Sequence, residues 1–310
     1  MKLLINLFSK VKTFCGRSTQ FTEVFDLLEA DSSCLVQSKS HYHTKLAEAE
    51  FLICWNFSES DYALAPNLKY IVTPAAGRDW IAEDPNGRVK VFFSSFHGPM
   101  IAESAMAMVG YSNNQLYNQK SLQLQGIWDR NACRNRRLLM NQKMVIIGCG
   151  QIGENCGELF KLLGMDVKGI SRKGRKNFSF PVLKIDDSDQ ALADADHVLC
   201  LLPGAGDNDK ILNSRFFNKM KKGASFYNFG RGSVVDEKAL VTALDSDHLS
   251  FAGLDVTYQE PLPKNHELYT HDKVLLTPHN SCTYEEYLSL FAEELSARIR
   301  RGEFAHHELG

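Results

Sequence analysis

This chain has almost no excess of either charge: 35 Lys+Arg stand against 37 Asp+Glu in 310 residues, a formal net charge of −2 with histidines neutral. Phosphate neutralisation needs a basic excess or a concentrated basic face, so the near balance argues against nucleic-acid binding as the main activity. Long apolar runs are also missing. Stretches such as 144–147 and 197–202 fall far short of the roughly 20 residues that span a bilayer, and no membrane segment is expected. Residues 1–8 begin like a signal peptide, but Ser9-Lys10-Val11-Lys12 interrupts the apolar stretch too early, so a first β-strand is expected there. The eight cysteines (15, 34, 54, 133, 149, 156, 200 and 282) show no metal-type clustering and read as buried thiols of a reducing cytoplasm. His41, His43, His266, His271, His306 and His307 form no ligand pattern, and no metal is expected. Internal repeats and low-complexity segments are absent.

What is present is an ordinary globular composition, 44% hydrophobic and 23% charged, able to bury a core. At roughly 150 residues per domain the length predicts about two domains. Short β-like runs fall at 2–7, 51–55, 68–72, 89–93, 144–147, 166–170, 197–201, 225–229, 250–254 and 273–276. Between them, 21–30, 101–119, 153–163 and 237–244 have helical spacing. This alternation predicts an α/β protein with parallel sheets covered on both faces and strands enough for two sheets. The first half has no phosphate-cradling glycine pattern and the second opens with one at Gly148, so a domain boundary is expected near 101–119. A last helix at 284–302 could cap the second sheet or cross back to the first domain. The basic run 130–137 reads as a solvated connector.

The run from Lys143 through Gly148-Cys149-Gly150-Gln151-Ile152-Gly153 is an apolar strand, then G-x-G-x-x-G, then a helix. That order is the context a dinucleotide fingerprint requires. Gly148 permits the tight turn, Gly150 lets the backbone approach a pyrophosphate, and Gly153 lets the helix pack close to the strand. The helix start at Gln151 and Ile152 supplies N–H groups and a partial positive charge. The end of the next strand normally carries an acid for the ribose of NAD. Here Ser171-Arg172-Lys173-Gly174-Arg175-Lys176 stands instead, a hydroxyl followed by cations, which suits a 2′-phosphate and favours NADP, with NAD remaining possible. The missing acid also weakens an S-adenosylmethionine reading.

Three later segments each put a polar residue at or just after a strand end: Arg231 in Phe229-Gly230-Arg231-Gly232, Glu260 in Gln259-Glu260-Pro261, and His279 in Thr277-Pro278-His279. Carboxyl ends of strands line the ligand crevice of a doubly wound sheet, so the three can converge. Reducing a carbonyl by hydride transfer builds negative charge on its oxygen. Histidine can supply the proton near neutral pH, a carboxylate partner raises its pKa, and arginine can hold a carboxylate in a two-pronged geometry. Asp236 reads as the cap of the helix beginning near Glu237.

These motifs, in this order and at these separations, resemble the D-isomer-specific 2-hydroxyacid dehydrogenase family over nearly the whole chain. Ala76-Gly77-Arg78-Asp79 and His97-Gly98…Ala102-Glu103 are similar to two further family segments. The resemblance implies that His279 is the acid/base, Glu260 its partner, and Arg231 the anchor for substrate. It implies that Asp255 and the backbone at Phe229 and Gly230 hold the nicotinamide, that Leu202 and Pro203 lie against the cofactor, and that Ala76 and Gly77 grip the substrate carboxylate. Asn208 falls where the family often has threonine. Trp55 is either a wall of the substrate pocket or an ordinary core tryptophan.

The family fold implies a Rossmann cofactor domain, 101–282, inserted in a flavodoxin-like substrate domain formed by 1–100 and 283–310, with the active site in the cleft and a homodimer built through the cofactor domains. Ser171-Arg172-Lys173 and Trp55 resemble the glyoxylate/hydroxypyruvate reductase branch. The expectation is therefore a cytoplasmic NADPH-preferring reductase of a small 2-oxo acid, such as glyoxylate or hydroxypyruvate, to a D-2-hydroxy acid. Glu260 stands where related formate dehydrogenases carry glutamine, which disfavours formate; the long serine-regulated phosphoglycerate dehydrogenases have an appended domain not expected here, while short versions stay compatible. The alternative is an NAD(P)-sensing binding protein resembling the family's co-repressors; the basic loop after Ser171 and the lack of long interaction tails count against it.

Overall fold

The computed structural model describes residues 2–30, 32–36, 38–133, 136–175, 177–204 and 208–304. The chain forms two compact units, Met1–His97 with Thr283–Gly310, and Gly98–Cys282.

In the first unit, β1 (Leu3–Asn6), β2 (Phe51–Cys54), β3 (Tyr70–Thr73) and β4 (Lys90–Phe93) form a parallel sheet in that order. A parallel bridge from Ile5 to Leu35 adds a further segment beside β1. Counted along the chain, the order across the sheet is 2-1-3-4-5, the flavodoxin-like doubly wound order. Such a sheet is buried on both faces, and all four residues of β2 are buried accordingly. Leu4, Leu52 and Ile71 face a core that includes Leu46 of α2 (Lys39–Leu46) and Tyr62. The other face packs against aromatics of α1 (Thr22–Leu28), α9 (Tyr287–Arg300) and their flanks: Phe21 lies 6.1 Å from Phe291, and Phe304 lies 5.1 Å from Phe51. The crossing helix expected at 284–302 thus belongs to the first unit as α9.

The second unit holds β5 (Lys143–Ile147), β6 (Asp166–Ser171), β7 (Val182–Lys184), β8 (His197–Cys200), β9 (Ala224–Asn228), β10 (Leu249–Leu254) and β11 (Val274–Leu276). The order is β11-β10-β9-β8-β5-β6-β7 with parallel pairings, the doubly wound order of a Rossmann sheet. One face packs on α3 (Gly98–Asn113) and α5 (Gln151–Leu162) through Ala105, Met108, Cys156 and Phe160. The other packs on α6 (Asp189–Asp194), α7 (Ser214–Lys219) and α8 (Glu237–Asp245) through Leu192, Phe217, Leu240 and Leu244. Asp236 caps α8, its Oδ1 accepting the Ala239 N–H at 3.2 Å, as the sequence predicts.

Three details differ from the sequence reading. The helical stretch at 101–119 is two helices, α3 and α4 (Leu116–Leu124), because Gln115 adopts φ 51° and turns the chain. β7 is too short, at three residues, to show an apolar period. All the cysteines are free, but Cys15, Cys34, Cys133 and Cys282 are only half-buried; each lies outside the sheets and the α-helices that cover them. Among the described residues no helix is long and apolar enough to cross a membrane, and no three His, Cys, Asp or Glu side chains gather as a metal site. His306 and His307 lie outside the described residues.

One polar chain runs through the second unit's core. His197 Nδ1 is 3.0 Å from Tyr227 Oη, Tyr227 Oη is 2.5 Å from Ser112 Oγ, and His197 Nε2 is 3.0 Å from Gln142 Oε1. Gln142 Nε2 donates to Asn113 Oδ1 and the Leu138 carbonyl, so its Oε1 must accept from His197 Nε2–H. Neutral His197 then accepts the Tyr227 hydroxyl proton at Nδ1. Burial pushes its pKa down to about 4.

Candidate active site

The turn after β5 takes its shape from glycine. Gly148 has φ 99°, and a Cβ there would lie 2.9 Å from the Leu201 carbonyl. A Cβ on Gly153 would meet the Gly148 oxygen at 2.7 Å. Gly150 differs, because nothing lies within 4 Å of where its Cβ would stand. Packing therefore does not require glycine at 150, and the space in front of it is open. Gly150 is also the N-cap of α5 and no side chain caps the helix, so the first-turn N–H groups of Gln151, Ile152 and Gly153 are left for an anion.

Beside this cradle β6 ends at Ser171, whose Oγ is buried without a hydrogen-bond partner. An unpaired buried hydroxyl costs about 1–3 kcal/mol, which a ribose or phosphate oxygen would relieve. Arg172 and Lys173 follow, both exposed, and the Arg175 guanidinium lies 5.8 Å from the centre of the Phe178 ring. Lys176 lies outside the described residues. The open cradle, the uncapped helix and the orphaned Ser171 hydroxyl fit a dinucleotide. Past β8, Leu202 packs on the core and the Pro203 carbonyl accepts from Asn208 Nδ2 at 2.9 Å. Gly230 backs onto this segment, where a Cβ would meet the Leu202 oxygen at 2.3 Å, and Phe229 is buried beside it.

Arg231 leaves the turn after β9 and is half-buried. The fully buried Asn228 shapes that turn: its Oδ1 accepts the Gly230 N–H at 3.1 Å and its Nδ2 donates to the Arg231 carbonyl at 3.0 Å.

His279 follows β11 in a left-handed conformation, φ 49°, which costs a non-glycine residue about 1–3 kcal/mol. Asp255, after β10 and 2% exposed, holds it there. Its Oδ1 accepts the Thr277 hydroxyl at 2.7 Å and the Asn280 N–H at 3.0 Å, its Oδ2 accepts the Ser281 N–H at 3.3 Å, and its carbonyl accepts the His279 N–H at 2.8 Å. The Asp255 carboxylate therefore clasps the histidine loop, a contact the sequence reading did not foresee.

His279 Nδ1 lies 2.7 Å from Glu260 Oε2. The hydrogen bond to Glu260 and its charge raise the His279 pKa, with burial and the Arg231 charge working against them. Burial opposes the charge on Glu260, but the His279 hydrogen bond, the Thr257 N–H and Arg231 together hold its pKa below the ordinary value. The two shifts agree, each favouring the charged form of its own group, with Arg231 acting on both. The Thr257 N–H reaches Glu260 Oε1 at 3.2 Å, and Glu237 Oε1 accepts the next N–H, that of Tyr258, at 2.7 Å.

In the first unit, β3 runs into Ala76, which is exposed, and Gly77, which is half-buried. The buried hydroxyl of Thr73 accepts the Ala75 N–H at 3.2 Å and shapes that turn. Trp55, just past β2, is half-buried. Its Nε1–H donates to the Phe14 carbonyl at 3.2 Å, and its ring centre lies 5.4 Å from Phe14 and 5.8 Å from Tyr287. The Tyr287 hydroxyl donates to the Pro74 carbonyl at 3.0 Å. Asn228, Glu237 and Tyr287 escaped the sequence reading. Asn228 and Glu237 flank the Arg231 motif and could have drawn notice there, whereas Tyr287 is far along the chain from everything it touches.

Residues 106–281 match the profile described as "D-isomer specific 2-hydroxyacid dehydrogenase, NAD binding domain". The chain is 28% identical over 289 residues to a glyoxylate reductase of Thermofilum pendens, covering 89% of this chain and 84% of that protein. It is 44% identical over 150 residues to glyoxylate/hydroxypyruvate reductase B of Cronobacter sakazakii, covering 42% of this chain and 46% of that one. In fold it is similar to the D-isomer specific 2-hydroxyacid dehydrogenase of Xanthobacter autotrophicus solved with NADPH and MES, with a TM-score of 0.79 at 23% identity over 97% of this chain and 96% of that one. The chain belongs to the D-isomer specific 2-hydroxyacid dehydrogenase family, oxidoreductases whose nicotinamide cofactor is bound by a Rossmann domain.

Proposed function

We propose that this protein reduces a small 2-oxo acid of the glyoxylate or hydroxypyruvate type to a D-2-hydroxy acid, with NADPH as the preferred reductant. Family membership and the names of the relatives support NAD(P)-dependent reduction of 2-oxo acids. The observation that carries the reading is the 2.7 Å His279–Glu260 pair, its histidine pKa raised, under the influence of Arg231.

A bound nicotinamide supplies the hydride. Because Nδ1–H of His279 is committed to Glu260, Nε2 is the atom that gives a proton to the substrate's carbonyl oxygen. Arg231 holds the substrate carboxylate and polarises the carbonyl next to it. Gly148, Gly150, Gln151, Ile152 and Gly153 hold the pyrophosphate, and Ser171, Arg172 and Lys173 the 2′-phosphate. Leu202, Pro203, Phe229, Gly230 and Asp255 flank the nicotinamide. In the first unit, the N–H groups of Ala76 and Gly77 take the substrate carboxylate and Trp55 is a wall of the substrate pocket. A second copy of the chain is the proposed partner. Leu124, Trp128, Leu138 and Met140, exposed along one stretch of the second unit, suit such a contact, and a monomer by light scattering would refute it.

Initial rates of NADPH and NADH oxidation with 2-oxo acids test the proposal. Turnover of a 2-oxo acid is expected; tight cofactor binding with no turnover of any acid would overturn the enzyme and leave an NAD(P)-sensing protein. Arg172→Ala should weaken NADPH by about 10- to 100-fold while changing NADH little, as loss of a charged hydrogen bond predicts. Equal losses for both would overturn the NADP preference.

A further inference from the structure

One side of α9 carries Tyr287, Glu294 and Arg298, whose spacing stacks them on successive turns of the helix. All three reach backbone at the carboxyl ends of first-unit strands. Glu294 accepts the N–H groups of Ser95 and Phe96, each at 3.0 Å, and Arg298 donates to the Phe93 carbonyl at 3.2 Å, which ties down the end of β4. Tyr287 reaches the end of β3, where its hydroxyl donates to the Pro74 carbonyl at 3.0 Å.

Successive peptides after β3 each have their carbonyl committed. The Thr73 oxygen accepts the Ser94 hydroxyl at 2.8 Å, the Pro74 oxygen the Tyr287 hydroxyl, and the Ala75 oxygen the Ser94 N–H at 3.2 Å. The peptide between Pro74 and Ala75 is held on both edges, its oxygen by Tyr287 and its N–H by the Thr73 hydroxyl at 3.2 Å. A trans peptide is planar, with its N–H pointing opposite to its C=O. Fixing the Ala75 oxygen on Ser94 therefore sends the Ala76 N–H away from the end of β4. None of these bonds uses the N–H of Ala76 or Gly77, the groups proposed to take the substrate carboxylate.

The Tyr287 hydroxyl is itself oriented. A carbonyl can only accept, so the one hydroxyl proton goes to Pro74 and the Tyr287 oxygen accepts from His97 Nε2–H, 2.9 Å away. Burial pushes the His97 pKa down to about 4, so the neutral ring that this bond uses is the form present near neutral pH. The Tyr287 side chain is buried, its ring centre 4.7 Å from Phe14 and 4.9 Å from Phe96, which leaves it no room to swing. A buried tyrosine needs only one partner for its hydroxyl. Here a second buried side chain, His97, also fixes the direction in which that hydroxyl points.

We propose that Tyr287, oriented by His97, is a positioning residue for the acid-binding turn: it fixes the peptide from which the Ala76 and Gly77 N–H groups project, and so sets affinity for the substrate carboxylate and not the rate of hydride or proton transfer. The inference rests on the 2-oxo acid reductase reading, of which it uses the acid-binding turn. It is tested on the full chain with NADPH by KM and kcat for glyoxylate and hydroxypyruvate, and by the Kd of oxamate, a 2-oxo acid mimic that is not reduced. Tyr287→Phe should raise KM and the oxamate Kd together by about 3- to 10-fold, the scale of one neutral hydrogen bond, while kcat stays within about twofold. Thr73→Val removes the acceptor on the other edge of the same peptide and should raise both constants likewise, with Thr73→Ser restoring them. The double variant should lose less than the product of the single effects, because both act on one peptide. A lowered melting temperature with KM and the oxamate Kd unmoved, or a fall in kcat alone, would overturn the inference and leave the reductase standing. A wild type that reduces no acid yet binds oxamate, more weakly as Tyr287→Phe, would overturn the reductase and leave the acid-binding turn. A wild type that neither reduces an acid nor binds oxamate would overturn both.

Discussion

Two histidines of the second unit show how differently one side chain can be used. His197 is 3% exposed and each ring nitrogen has a neutral partner, so burial drives its pKa down to about 4 and it stays uncharged. The side chain of His279 is 39% exposed and its Nδ1 meets a carboxylate, so its pKa rises. Burial acts against the charged form in both, and the partner decides the outcome. A hydrogen bond to an acid favours the protonated ring; hydrogen bonds to a phenol and an amide hold a neutral one as a fixed strut.

The largest effect expected is on turnover. His279→Ala should lower kcat by about 10²- to 10⁴-fold, the usual contribution of a positioned acid/base, while NADPH affinity measured by fluorescence titration stays close to wild type. Near-wild-type rates would remove His279 from the chemistry. In the proposed mechanism reduction needs protonated His279, so its rate should fall as pH rises through the raised pKa. Glu260→Gln removes the charge that raises it and should move that limb of the profile to lower pH.

The opposite sign should appear in stability at His197. Its folded pKa, about 4, lies below the ordinary 6.5, so the unfolded chain takes up the proton first. Its contribution is therefore fully present above pH 6.5 and lost as pH falls towards 4, a total of about 3 kcal/mol. Urea unfolding of wild type and His197→Gln between pH 7 and 4 tests this. The variant should be less stable at pH 7 by about 1–3 kcal/mol, through the broken polar chain, yet lose stability less steeply, by up to about 1.4 kcal/mol per pH unit. Parallel pH dependences would mean that His197 titrates normally.

The sequence pointed to His279 and Glu260, which the structure places 2.7 Å apart, and could not have revealed what His197 does. His279, Glu260 and Arg231 each stand at a strand end inside a short motif, and strand ends and glycine turns are local signals. The glycine cradle was legible for the same reason. What stayed hidden depends on contacts between distant segments: the Asp255 clasp on the Thr277–Ser281 turn, the Ser112–Tyr227–His197–Gln142 chain, and Tyr287 reaching Pro74. The orphaned hydroxyl of Ser171 is likewise invisible without coordinates, although the missing acid had already drawn attention to that strand end. The break at Gln115 was missed because apolar spacing on its two sides runs on as though one helix continued.

The smallest effect expected concerns how the acid beside His279 is itself held. Glu237 opens α8 and accepts the Tyr258 N–H at 2.7 Å; on the other side of the same peptide, a Cβ on Gly232 would lie 1.8 Å from the Thr257 oxygen. The peptide between Thr257 and Tyr258 is thus fixed between the segment carrying Arg231 and the start of α8, and the Thr257 N–H in turn holds Glu260. Glu237 touches none of the proposed reacting groups and acts on His279 only through this peptide. Removing its carboxylate should cost a hydrogen bond to a charged acceptor, about 1.5–3 kcal/mol, most of it in stability and a few-fold in kcat. The positional role has its own signature: Glu237→Ala should lower the His279 pKa read from its imidazole resonances, because Glu260 is less firmly placed, and Glu237→Gln, which can still accept the Tyr258 N–H, should restore it. A variant that loses stability with the His279 titration unmoved would make Glu237 a strut like His197, and the comparison between the two histidines would then owe nothing to the start of α8.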